Sequence, residues 1–408
     1  MYVQATGMHI AFHVDYLTLT SLMEGVTLPI QAQVFKCLRS WLIAGEISAT
    51  MLLGTPLFDL TFKGLDWDEL FDSSVDVICD LIHETQEVDD NLPIIEQIIP
   101  RLALLRPKLT AACEADDADK VRGYCRIFTE AGETYRMLLL HHPDTFFFIV
   151  EAIGECAAYT DLDIVPITFH FWFRLAQSIG KKQNVSPLFF DAYRALMDII
   201  IKHLHFPGDP ESMSAQERDD FRGFRHVMGD TLKDCCYVLG TEGCLQKTYE
   251  MILGALERNA SGSGGVVWQD IEAPLFSMRS MGAEINPDDD EVIPKIMDLI
   301  PKLPTHARVR YAATLVISRY TEWTDRHPQY IPFQLSYISA GFEDPDQEVA
   351  AAAGQAMKYM CKDCRQASPI FIISVYTFLI FNTPLASCPI FAAIAYIRQD
   401  CRTETCSG

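Results

Sequence analysis

Apolar residues recur along most of the chain at intervals of three and four, the spacing that lays them on one face of an α-helix. Ile30, Val34, Leu38 and Trp41 make one such stripe, and Ile167, Phe171, Leu175 and Ile179 make another. The period-two alternation of a half-buried strand is nearly absent. Breaks between stripes carry helix-boundary chemistry: Thr27 ahead of Pro29, Asp163 ahead of Pro166, Gly180 directly after Ile179, and Pro304-Thr305. The pattern predicts an all-α chain.

A longer period overlies the short one. The second helix of successive pairs is expected to open on a β-branched residue, at Val34, Val75, Val121 and Val165, spaced 41, 46 and 44 apart. Ile271, Val309 and Val349 follow at spacings of 38 and 40, and the 106-residue interval from Val165 to Ile271 holds two units, with Phe224 as the middle marker. Spacings near 40 belong to HEAT or armadillo units, in which each helix pair buries its apolar face only against its neighbours. The alanines of Val309-Arg310-Tyr311-Ala312-Ala313 and of Val349 to Ala353 permit close helix approach. Prolines and glycines interrupt every stretch long enough for coiled-coil heptads. The expected fold is a HEAT-repeat α-α superhelix, a right-handed solenoid of antiparallel helix pairs. Residues 1–366 would hold about eight pairs, and residues 367–408 an atypical apolar tail.

The connections Pro207 to Glu211 and Asn259 to Gly265 read as flexible loops. Ala367 to Ile397 carries no charged side chain, but Pro369, Asn382, Pro384 and Pro389 interrupt it. Its apolar run from Ile370 to Phe381 is shorter than the roughly 20 residues a spanning helix needs, so no membrane anchor is expected.

Composition narrows the function. Apolar residues form 49% of the 408, enough for a packed interior and too many for a disordered chain. Lysine and arginine total 33 against 55 aspartate and glutamate, a net charge of -22. Such a surface repels a phosphate backbone and attracts basic partners, so direct nucleic-acid binding is not expected. Most of the 13 cysteines sit singly inside helical patterns, as Cys37, Cys79, Cys125 and Cys156 do, which fits a reducing compartment. The first residues lack a secretory-signal pattern.

No motif supplies a catalytic set. Cys361 and Cys364 have zinc spacing with Cys401 and Cys406 as a distant second pair, but zinc ribbons set their pairs closer on short turns, and buried cysteines are the better reading. Ser261 to Gly265 lacks the lysine and preceding strand of a P-loop. His141-His142 and His203/His205 lack zinc-protease spacing, and there is no Gly-x-Ser-x-Gly elbow. Neither an enzyme nor a cofactor is expected.

Acidic clusters at helix ends are the candidate partner-binding residues: Asp66, Asp68, Glu69 and Asp72; Glu114, Asp116, Asp117 and Asp119; Asp219 and Asp220; Asp288, Asp289, Asp290 and Glu291. The last run lacks the ligand pattern of an EF-hand. Two readings stand: ordinary caps that offset helix dipoles and aid solubility, or one continuous negative track along the solenoid. Arg126 and Glu130, four apart, read as a surface pair.

Ordered segments carry a family resemblance. Lys36 to Trp41, Tyr124 to Glu130, Phe171 to Leu175, Trp268 to Arg279, Val309 to Tyr311, Arg326 to Tyr330 and Cys361 to Arg365 together resemble the transportin-SR type of nuclear import receptor, of the importin-β superfamily, with its fungal mRNA-transport-regulator branch. The resemblance runs over roughly residues 15 to 366. It implies a monomeric receptor that shuttles between cytoplasm and nucleus and engages nuclear-pore Phe-Gly repeats. Such a receptor carries arginine/serine- or arginine/glycine-rich RNA-binding proteins and releases them to Ran-GTP. The acidic charge agrees with arginine-rich cargo. The further N-terminal repeats that supply much of the family's Ran surface, and its arginine-rich cargo helix, are not recognisable, so the expectation is a central segment of a receptor. The alternative is a generic HEAT scaffold without Ran linkage.

Overall fold

A computed structural model describes residues 27–180, 184–208, 212–260 and 267–364. The apolar tail, Cys401, Cys406 and all of Ser261 to Gly265 lie outside the described residues, as do Asp209 to Glu211. The described residues form seventeen α-helices, short 3-10 turns and no strand, in two compact units that divide after Leu196.

The first unit contains α1 (Leu28–Ile43), α2 (Pro56–Lys63), α3 (Asp68–His83), α4 (Val88–Glu114), α5 (Ala118–Thr134), α6 (Arg136–His141), α7 (Pro143–Ala158), α8 (Phe169–Ile179) and the start of α9 (Pro187–His203). Helices α1, α3, α5 and α8 are the second members of successive pairs and pack side by side in one layer; α2, α4 and α7 form the other. Close approach within the layer depends on glycine. A Cβ on Gly123 of α5 would stand 2.7 Å from Phe71 Cζ and 3.0 Å from a Val75 methyl of α3.

The second unit holds the end of α9, then α10 (Ala215–Leu239), α11 (Thr241–Ala260), α12 (Gln269–Met281), α13 (Ile293–Leu299), α14 (Ala307–Arg319), α15 (Thr321–Arg326), α16 (Ile331–Phe342) and α17 (Gln347–Asp363). Here α10, α12, α14 and α17 stack in order, and α11 and α16 back α12 and α17. Tyr320, fully buried at the end of α14, donates its hydroxyl to the Met278 carbonyl of α12 at 3.0 Å.

Every marker of the long period is buried: Val34, Val75, Val121, Val165, Phe224, Ile271, Val309 and Val349. Val34, Val75 and Phe224, however, lie inside their helices rather than at the starts. Caps decide where a helix begins. Ser214 and Glu217 close a reciprocal capping box that starts α10 well before Phe224. The α1 stripe also differs from expectation. Val34, Phe35, Leu38 and Leu42 define the buried face, and Ile30, at the edge of that face, is 47% exposed.

Candidate partner-binding surface

Burial of the apolar face of α3 leaves Glu69, Asp72, Asp76, Asp80 and His83 along one exposed or half-exposed stripe, at steps of three and four. Helix α5 repeats the spacing with Asp119, Arg122, Arg126, Glu130 and Glu133. Because α1, α3, α5 and α8 stand side by side, these stripes meet in rungs. Arg39 of α1 places Nε 2.7 Å from Asp80 and Nη1 2.9 Å from Asp76. The other oxygen of Asp76 lies 2.7 Å from Arg126 of α5. His83 meets Glu130 at 2.9 Å, and Glu133 meets His170 of α8 at 2.7 Å. The hydrogen bond to Asp80 raises the Arg39 pKa. Arg126 and Glu130 are therefore not paired with each other; each bonds to α3. A neighbour one repeat away offers a shorter, better-directed contact than the residue four positions on.

The ladder is balanced in its middle and acidic at the beginning of α3. Gly64 is packed so tightly that a Cβ there would stand 3.0 Å from Phe35 Cε2, and after the turn Gly64–Asp66 the chain swings outward in an extended conformation at Trp67. Trp67 is 56% exposed, a large aromatic surface flanked by four acids. Asp66 pairs with Lys108 at 2.5 Å and Asp68 with Lys120 at 3.0 Å. Lys120 is held above its usual pKa by its hydrogen bonds to Asp68 and Asp117. Glu69 and Asp72 are exposed and have no hydrogen-bond or ion-pair partner among the described residues.

The remaining acids divide between local and open roles. Asp116 adopts φ 55°, a left-handed conformation that aspartate tolerates better than most side chains. It accepts a hydrogen bond from the Tyr159 hydroxyl at 2.7 Å, which pushes that phenol up to about 12. Asp117 caps α5 by accepting the Lys120 N–H at 3.1 Å. Glu114 and Asp119 are exposed, Asp119 lying 3.4 Å from Arg122. In the second unit Asp219 is 3.4 Å from Arg222, and Asp220 accepts from Gln216 at 2.8 Å. Asp288 is 3.6 Å from Arg326, Asp290 is 3.0 Å from His327, and Glu291 is exposed.

Asp289 is a different case. It is buried, and its Oδ1 accepts the backbone N–H groups of Glu291, Val292 and Ile293 at 3.2, 2.9 and 2.9 Å. Its carbonyl accepts the Trp323 indole N–H at 2.7 Å. Asp289 thus closes the turn ahead of α13 through Oδ1, a local role. The acid clusters lie in both units, and within each they are interleaved with cations. The sequence reading missed Trp67, Asp76, Asp80 and Glu133.

A second feature of the first unit is apolar. Between α2 and α4 lies a hollow of about 200 Å³ lined by Phe62, Leu104, Leu105 and the stems of Arg101 and Lys108. Leu104 is 69% exposed at its edge.

Stacked helix pairs with a charged second-helix layer define a helical-repeat fold. Residues 116–203 match the family model described as the transportin-3/importin-13 second TPR domain, and residues 290–374 the third. An uncharacterized protein of Schizosaccharomyces pombe is 40% identical over 349 residues, covering 82% of this chain and 36% of its own. The mRNA transport regulator MTR10 of Saccharomyces cerevisiae is 35% identical over 370 residues, covering 85% and 37%. A solved structure of importin-13 in its cytosolic state matches 94% of this chain and 48% of its own with a TM-score of 0.73 at 17% identity, which shows a shared fold. The chain belongs to the importin-β family, in its transportin-3/importin-13 group. It spans a little over a third of the length of the curated relatives it matches.

Proposed function

We propose that this chain serves nuclear import as a receptor segment that holds arginine/serine- or arginine/glycine-rich RNA-binding proteins and yields them to Ran-GTP, shuttling between cytoplasm and nucleus as a monomer. The observation that carries the reading is Trp67, 56% exposed, beside the unpaired carboxylates of Glu69 and Asp72. An arginine side chain satisfies both features at once, its planar face on the indole and its N–H fork on the carboxylates. Lysine lacks the planar fork and meets the two features less well. The net charge of -22 adds long-range attraction for a basic segment. The names of the relatives, an mRNA transport regulator and importin-13, support transport as the setting. The hollow beside Leu104 suits a phenylalanine ring of a pore repeat.

The test is fluorescence anisotropy of a labelled arginine/serine peptide with the full chain, at two salt concentrations and with added Ran-GTP. Trp67→Ala and the pair Glu69→Gln/Asp72→Asn should each weaken binding about tenfold, equivalent to about 1.4 kcal/mol. Salt should weaken binding to the parent chain, and Ran-GTP should displace the peptide. Binding that ignores both the acid substitutions and Ran-GTP overturns the proposal.

A further inference from the structure

The second unit contains a hollow of opposite character. About 500 Å³ in volume, it lies on the layer formed by α10, α12, α14 and α17, and its walls carry His226, Lys233, Arg279, Arg319 and Lys362. Two of these cations already have partners: Lys233 lies 2.7 Å from Asp230, and Lys362 lies 3.8 Å from Asp363. Arg279 and Arg319 have no side-chain hydrogen bond or ion pair among the described residues. In a chain with 22 excess negative charges, two unpaired guanidinium groups facing one hollow are out of character.

The packing holds Arg319 in place. The stem of Arg319 crosses the backbone of Gly282, where any Cβ would collide with its Cγ and stand 2.9 Å from Tyr320 Cε1. Tyr320 is itself tied to α12 through the Met278 carbonyl, so the residue before it has a set position over Gly282. Across the hollow, Gly229 leaves room for Ser280, whose Oγ would lie 2.8 Å from an added Cβ.

We infer that this hollow is a binding site for an acidic peptide segment of a partner protein, with glutamate or aspartate carboxylates received by Arg279 and Arg319. The rim decides between a peptide and a polyphosphate. Asp230, Glu322 and Asp363 stand among the cations, and they repel a continuous phosphate backbone. A peptide instead alternates carboxylates with backbone N–H groups, which those rim acids accept. The site is independent of the arginine-binding surface around Trp67: its charge is reversed and it lies in the other unit.

The experiment uses the full chain and a short labelled glutamate-rich peptide, with anisotropy at low and high salt. The parent chain should bind, and Arg279→Gln/Arg319→Gln should weaken binding at least about tenfold. Gly282→Ala, which keeps every charge but displaces the Arg319 stem and crowds the Tyr320 ring, should also weaken it. Arg194→Gln, which removes one positive charge from the exposed face of α9, should leave it unchanged. Thermal unfolding of each variant shows that the fold persists, and the arginine/serine peptide should bind the Arg279→Gln/Arg319→Gln chain as it binds the parent. Absence of binding to the parent chain, or equal binding by parent and Arg279→Gln/Arg319→Gln, overturns the inference.

Discussion

Arg225 of α10 and Glu272 of α12 form a salt bridge shut away from water. Nη2 of the arginine lies 2.7 Å from one carboxylate oxygen and 3.0 Å from the other, with both side chains at most 5% exposed. The guanidinium is also 4.0 Å from the ring centre of Phe276 and 4.7 Å from that of Phe206. Removing one partner strands a charge in an apolar setting, which costs about 3–5 kcal/mol. Glu272→Ala should therefore lower the unfolding midpoint sharply. Arg225→Met with Glu272→Met should be less harmful than Glu272→Ala, because the double change leaves no unpaired charge. A double variant less stable than Glu272→Ala would show that the pair stabilises the second unit beyond its own compensation.

Asp234, on α10, gives a pH dependence of unusual sign. Burial, with a smaller contribution from the nearby Asp230, raises its pKa from 3.8 to about 6. The native state thus holds this proton more tightly than the unfolded chain does. Protonation contributes stability fully below about pH 4, and the contribution is lost as pH rises through 6. At pH 7 the ionised carboxylate opposes folding. Asp234→Asn should stabilise the protein at pH 7 by on the order of 1–2 kcal/mol, after allowance for partial solvent screening, and give no gain at pH 4. Denaturant titrations of both chains at the two pH values measure the difference. Equal shifts at both would remove ionisation as the cause.

Local and repeated features were legible in the sequence, and pairings between repeats were not. Val121, Ile271, Val309 and Val349 mark buried helix starts because one apolar stripe per helix is a property of a few consecutive residues. The rungs Arg39–Asp80, His83–Glu130 and Asp76–Arg126 join residues 41, 47 and 50 apart, and a pattern read along one helix cannot show which stripe it will face. That is why Arg126 and Glu130 looked like partners. The run Asp288 to Glu291 lies in irregular chain, where no period distinguishes the inward Asp289 from its outward neighbours. Trp67 escaped notice for a related reason: a tryptophan is buried on average, and nothing along one helix marks this one as 56% exposed.

Asp76 separates binding from stability. It joins Arg39 and Arg126 across three helices, yet its side chain is 29% exposed and the two arginines are 40% and 41% exposed. Pairs that wet contribute at most about 1 kcal/mol, and Arg39 keeps Asp80 when Asp76 is gone. Asp76→Asn should therefore leave the unfolding midpoint nearly unchanged. It does free the Arg126 guanidinium opposite position 76, which lies one turn along α3 from Asp72, turning a neutral rung into a cationic one beside the acids around Trp67. An arginine-rich peptide should bind this variant several-fold more weakly at low salt, and the difference should shrink as salt screens the new charge. Arg126→Gln combined with Asp76→Asn should restore the affinity, since the rung is neutral again. Failure of that restoration would mean that Asp76 touches the peptide itself, extending the binding surface from the beginning of α3 into its middle.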